Sequence, residues 1–159
     1  MSVKSSLAVV RPTDRMATAA APSPDDDSQF SSTPDHFVCR NGKEFAGTHL
    51  ILDLWDARHL DSLERVEDAL RRAVEAGGAT LLHIHLHHFT PGGGISGVAV
   101  LAESHISVHT WPERGFAAFD IFMCGDARPQ RCVPVLQTAF RPRQMNVQTY
   151  LRGDAGAHG

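Results

Sequence analysis

Ten histidines stand among 159 residues, and five of them fall between His83 and His105. Imidazole changes charge near neutral pH, serves as general acid or base, and ligates transition metals, so chemistry is to be sought there first. His83, His85 and His87 alternate with Leu82, Ile84 and Leu86; in a strand, all three imidazoles project to one face. Such a ladder is a candidate zinc site. Successive residues on one strand face lie about 7 Å apart, so a single ion is not reached by all three without ligands from elsewhere. A half-buried strand with an imidazole-bearing polar face accounts for the same pattern.

The segment from Ile95 to Glu113, ISGVAVLAESHISVHTWPE, sets Glu103, Ser104, His105 and His109 within two apolar strand candidates. A carboxylate, a hydroxyl and an imidazole in that setting cost desolvation free energy unless paired, which marks the segment as a candidate site. Ser104 with His109 as base is one reading, that of a serine hydrolase, but the strand-turn-helix glycine elbow around the nucleophile is absent. Cys39, Cys124 and Cys132 are odd in number and form no CxxC pair, which argues against a disulfide framework and for a reducing, cytoplasmic compartment. A free cysteine in a strand is by default a small buried hydrophobe.

These residues need elements to hold them. Residues 1–40 are rich in Ser, Thr, Ala and Pro and carry the acidic run Asp25 to Asp27; the expectation is a disordered N-terminal tail, with the folded domain over residues 41–152 and a short tail over 153–159. Leu50, Leu52 and Leu54 announce a strand. Asp61 with Glu64 resembles a capping box, and Leu63, Val66, Leu70 and Ala73 recur at helical spacing until Gly77-Gly78 stops the run. Strands are expected over residues 79–89, 95–103, 105–111 and 116–123, a second helix over 129–140, and a last strand over 146–150. That order fits an α+β fold, a two-layer α/β sandwich with helices on one face of a mainly antiparallel sheet. Fifteen Lys and Arg against eighteen Asp and Glu leave a net charge of −3, no basic surplus for nucleic acid. No apolar run is long enough to span a membrane.

The segments GTHLILDLW, GATLLHIHLHHF and SGVAVLAESHISVHTWPERGFAAFDIFMCGD closely resemble the bacterial and archaeal S-adenosylmethionine decarboxylases, the pyruvoyl-dependent enzymes of polyamine (spermidine) synthesis. The resemblance runs from about Gly47 to Arg152. It implies that the proenzyme cleaves itself between Glu103 and Ser104. Ser104 attacks the Glu103 carbonyl carbon and turns an amide into an ester. Loss of the Ser104 α-proton then eliminates the Glu103 carboxylate, and hydrolysis leaves a pyruvoyl group and ammonia.

Residue by residue, the resemblance makes His109 the processing base and Ser96 a helper in the acyl shift. Cys124 becomes the proton donor in decarboxylation. Glu113 matches the carboxylate that holds the ribose hydroxyls, and Phe89 is the nearest equivalent of the aromatic residue that stacks on the nucleoside. The pyruvoyl ketone derived from Ser104 would form the Schiff base with substrate, replacing pyridoxal phosphate, with no metal. The family implies a homodimer with active sites at the subunit interface. Two alternatives accompany this reading. One is an ornithine or arginine decarboxylase on the same scaffold; the other, from a different class, is a zinc- or protein-binding module using the histidine ladder.

Cleavage at Glu103–Ser104 divides a 17.3 kDa chain into pieces of roughly 11 and 6 kDa, in proportion to their lengths. The intact mass of purified, denatured protein checks this, and active protein of one full-length mass would refute it. Ser104→Ala should give a single uncut, inactive chain, since a methyl group cannot attack a carbonyl.

Overall fold

Alternation of apolar and polar residues builds the sheet. The structure, a computed structural model, describes residues 31–32, 37–90, 92–154 and 156. In order they form β1 (Ser31–Ser32), β2 (Val38–Arg40), β3 (Lys43–Phe45), β4 (Gly47–Trp55), α1 (Leu63–Gly77), β5 (Leu81–His88), β6 (Ile95–Leu101), β7 (Ser104–Trp111), β8 (Phe116–Cys124), α2 (Cys132–Phe140) and β9 (Gln144–Arg152). Six strands make one sheet in the order β5-β6-β7-β8-β4-β9, and every neighbouring pair is antiparallel.

One face of this sheet is apolar. Leu50, Leu52 and Leu54 of β4, Ile106 and Val108 of β7, and Ala117, Phe119, Ile121 and Met123 of β8 are buried against both helices. Helix α1 contributes Val66, Ala69, Leu70, Ala73 and Val74, an i, i+3, i+4 stripe. Helix α2 adds Cys132, Leu136 and Phe140. Among the described residues no helix lies on the opposite face. It carries His105, Ser107 and His109 of β7, Asp120, Phe122 and Cys124 of β8, and His49, Ile51 and Asp53 of β4, all exposed or half-buried. The α+β sandwich with helices on one face, expected from the order of elements, is the observed fold.

Local signals differ in detail. The N-cap of α1 is Ser62, not Asp61: Ser62 is extended, at φ −98°, and its hydroxyl accepts from Arg65 N–H at 3.4 Å. Gly78 closes the helix at φ 72°, where a side chain would be strained. The strands β1 and β2 fall inside the stretch read as a tail, and the remainder of that stretch up to residue 36 lies outside the described residues. Strands β2 and β3 form a hairpin on an Asn41-Gly42 turn with both residues at positive φ, the two-residue turn whose twist suits a hairpin. Val38 and Phe45 are its buried residues. A three-residue strand is too short to show a period, which is why composition alone hid it.

Candidate active site

Ser96 sits on β6 directly opposite His109 on β7, and its Oγ lies 2.8 Å from His109 Nδ1. Just behind them Thr110, buried, fixes that register: its Oγ1 accepts from Ile95 N–H at 2.8 Å and donates to the Leu60 carbonyl at 2.8 Å. Glu113 is exposed in the single 3₁₀ turn that follows β7. Phe89 follows the end of β5, exposed, with its ring 4.8 Å from that of His87. These four sequence-selected residues therefore gather at one end of the sheet.

Ser104 and Cys124 stand at the other end. Ser104 is buried at the first position of β7, and its Oγ accepts from Cys124 N–H at 3.2 Å. Between β6 and β7 the chain turns on only two residues, Ala102 and Glu103, since Leu101 pairs with Ser104. Glu103 has φ 61°, a left-handed conformation that costs an ordinary side chain about 1–2 kcal/mol. Glycine or asparagine is usual at such a turn position. The strained residue is the one before the expected cut.

Five residues of extended chain separate Ser104 from His109, about 17 Å at roughly 3.3 Å per residue. The structure thus assembles two pairs, Ser96 with His109 and Ser104 with Cys124, and does not bring the pairs together within one chain. Desolvation, the ground on which the segment stood out, applies to Ser104 alone: Glu103 lies in the exposed turn, His105 is half-buried and His109 is exposed on the open face.

Cys124 has its thiol pushed above the ordinary value, first by burial and then by the Glu103 carboxylate. The shift favours the neutral thiol, the form that carries a proton. Cys132 is a core residue: its Sγ donates to the Ala73 carbonyl, and burial pushes it up to about 12. Cys39 is exposed.

The histidine ladder lies on the edge strand β5 with His83, His85 and His87 exposed, all on one face as alternation requires. Among the described residues no group of three or more His, Cys, Asp or Glu is placed to hold a metal ion.

Residues 48–153 match the family described as S-adenosylmethionine decarboxylase. The chain belongs to that family. It is 47% identical over 108 residues to the S-adenosylmethionine decarboxylase proenzyme of Thermomicrobium roseum, covering 67% of this chain and 93% of that one. To the proenzyme of Methanococcus aeolicus it is 46% identical over 110 residues, with coverage of 67% and 93%. The crystal structure of the adenosylmethionine decarboxylase from Aquifex aeolicus VF5 matches with a TM-score of 0.63 at 34% identity, over 69% of this chain and 92% of that one. Membership places the chain among the pyruvoyl-dependent carboxy-lyases and implies a pyruvoyl cofactor. The residues present fit such a group, because a serine with its oxygen already held follows a strained turn. Among the described residues no helix is long and apolar enough to cross a membrane.

Sequence reasoning passed over a polar cluster at the centre of the open face of this S-adenosylmethionine decarboxylase family member. Arg152 Nη1 donates to His49 Nδ1 at 3.1 Å, which leaves neutral His49 with its proton on Nε2. That buried nitrogen has no hydrogen-bond partner and stands 3.7 Å from Asp120 Oδ1, while Ser107 Oγ donates to Asp120 Oδ2 at 2.9 Å. Burial lowers the His49 pKa, and the Asp120 carboxylate opposes that. The one signal available was the polar half of the β4 alternation, His49 and Asp53.

The thiol of Cys124 should alkylate with a pH midpoint above that of an ordinary cysteine. In a Cys39→Ser background, Glu103→Gln should move the midpoint down, though not fully, because burial is the larger cause. The rate of iodoacetamide labelling against pH measures this, and an unmoved midpoint would remove Glu103 from the electrostatics of the site.

Proposed function

We propose that this chain cuts itself between Glu103 and Ser104 and then, with the pyruvoyl group so formed, decarboxylates S-adenosylmethionine to the aminopropyl donor of spermidine synthesis, working as a homodimer. The observation that carries the reading is the pairing of Ser104 Oγ with Cys124 N–H beside left-handed Glu103. The acyl shift replaces the strained Glu103–Ser104 amide with an ester. The Cys124 amide steadies the oxygen that attacks.

The α-proton of Ser104 must next leave, and the residue proposed to take it, His109, is about 17 Å away along its own strand. A second copy supplies it. A two-fold axis lying between two open faces, perpendicular to the strands, sets Ser104 and Cys124 of one subunit under Ser96 and His109 of the other. Ser96, 2.8 Å from His109 Nδ1, then serves the acyl shift of the partner and orients the imidazole. Each dimer holds two such sites.

When present, the pyruvoyl ketone supplies a carbonyl for the substrate amine and a sink for the electron pair left by carbon dioxide. Cys124, kept neutral, delivers the proton to the former α-carbon. Glu113 accepts hydrogen bonds from the two ribose hydroxyls, and Phe89 stacks on the nucleoside. Both lie at the His109 end, so they too act on substrate held at the Ser104 of the partner subunit.

Two experiments separate the parts of this reading. His109→Ala alone should stall after the ester forms, leaving a chain that hydroxylamine cleaves at Ser104. Co-expressed with Ser104→Ala chains, the His109→Ala chain should be cut, since the mixed dimer unites a good serine with a good histidine; no cutting in the mixture would place His109 in its own chain's reaction.

Carboxyl-labelled S-adenosylmethionine, ornithine and arginine, offered separately to processed protein, test the substrate. Carbon dioxide is expected from S-adenosylmethionine alone, and release from either basic amino acid instead would overturn that choice. Glu113→Gln should lower kcat/KM for S-adenosylmethionine by roughly ten- to a hundredfold without slowing self-cleavage, the loss of charge-assisted hydrogen bonds worth about 1.5–3 kcal/mol.

A further inference from the structure

The histidine ladder takes no part in the proposed reaction. Its placement is fixed by packing: Ile84 and Leu86 lean on the core, so His83, His85 and His87, which alternate with them, are committed to the open face. The register sets them beside Val100, Val98 and Ser96 of β6 in turn. All three are exposed, and among the described residues none of them makes a side-chain hydrogen bond or an ion pair. His87 has one ring contact, edge-on to Phe89. A polar strand face needs no particular residue type, yet three imidazoles stand here with their nitrogens unengaged. Strand β5 is an edge of the sheet, so they are reached from the side.

Distance decides how many of them one ion can take. Neighbouring members of the ladder are about 7 Å apart and the outer two about 14 Å. Two imidazole nitrogens on one tetrahedral ion, each about 2.0–2.1 Å from it, stand about 3.4 Å apart. Each ring of a neighbouring pair must therefore lean about 2 Å toward the other, which its two side-chain torsions allow, whereas the outer pair would need about 5 Å each. Val98 and Val100 offer no side-chain donor or acceptor to compete. His105 and His109 stand two strands away, opposite Val100 and Ser96, about 10 Å off. The ladder thus supplies an ion with two ligands and water supplies the rest, consistent with the absence of any group of three or more among the described residues.

We propose that His83, His85 and His87 form a surface site for one divalent late transition ion, held by two adjacent imidazoles, with His85 common to both pairs. Imidazole nitrogen binds copper(II) more tightly than nickel(II) or zinc(II), and magnesium, which takes oxygen ligands, is not held. The site lies outside the groups assigned to cleavage and decarboxylation. It is built from one strand of one chain and needs no partner subunit.

Titration tests it. Untagged full-length protein, as purified, is titrated with copper(II), zinc(II) and magnesium chloride, and the heat of binding gives stoichiometry and affinity. One ion per chain is expected, copper tighter than zinc, with no heat from magnesium. His85→Ala leaves two imidazoles about 14 Å apart and should weaken copper binding at least roughly tenfold, because a second ligand tethered to the first binds at a high effective concentration. His83→Ala and His87→Ala each leave one pair intact and should each cost only about twofold, while the two together should match His85→Ala.

His85→Gln keeps a polar side chain on the strand and repeats the test should alanine disturb the fold, which circular dichroism checks. Copper affinity unchanged in the folded His85 variants would overturn the site. So would several weak ions per chain whose affinity no ladder variant alters, which is scattered binding to single imidazoles.

Discussion

Strand β7 cannot fold back on itself. It is hydrogen-bonded along its length to β6 on one side and to β8 on the other, so Ser104 and His109 are held at a fixed separation of about 17 Å. Bending the strand to join them would break both ladders in the middle of the sheet. Every other feature of the site follows from that rigidity. Ser104 and its thiol neighbour stand at one rim, the imidazole and its serine partner at the other, and the proposed chemistry, which draws on both, calls for two sheets face to face.

The open face suits the proposed partner. Among the described residues helices cover only one side of the sheet, and the other side mixes half-buried apolar residues, Ile51, Val98 and Phe122, with His49, His105 and Asp120. His49 is the informative member. Arg152 can only donate, so it fixes the proton of neutral His49 on Nε2, and that proton points toward Asp120 across 3.7 Å, too far for a hydrogen bond. A buried N–H left unmade costs about 1–3 kcal/mol. A covering sheet would exclude water here, strengthening the attraction between His49 and Asp120 while making the missing bond more costly.

Much of the fold was legible because its signals are local and repeated. Period-two alternation marked β4 through β8, and the i, i+3, i+4 stripe with Gly77-Gly78 marked α1. The cap was misplaced by one residue because Asp61 and Ser62 are equally good N-cap types, and the choice falls to backbone geometry that composition does not carry. The candidate site residues were chosen through their motif. Their grouping was not legible: a separation of five positions reads as closeness in a sequence, yet in a strand it is the length of the sheet. Burial was misjudged for a related reason. In a sheet covered on one side only, alternate residues of an apolar-looking strand remain open, so His105 and His109 are not desolvated as a run between core residues suggested.

The turn at the proposed cut shows how a chain could be cut and stay whole. Leu101 pairs with Ser104, and the ladder continues back to Ser96 opposite His109, so β6 and β7 are joined by pairing along their full length and not only by Ala102-Glu103. Breaking the Glu103–Ser104 bond would remove one covalent link between segments that the sheet already holds. It would also free Glu103 from the closed turn in which its φ is 61°. The new carboxylate of Glu103 would emerge at the same rim as Cys124, adding negative charge where the side-chain carboxylate already raises the thiol pKa. In the proposed reaction, then, the cut that makes the reactive group also reinforces the neutral state of the thiol that must donate the proton.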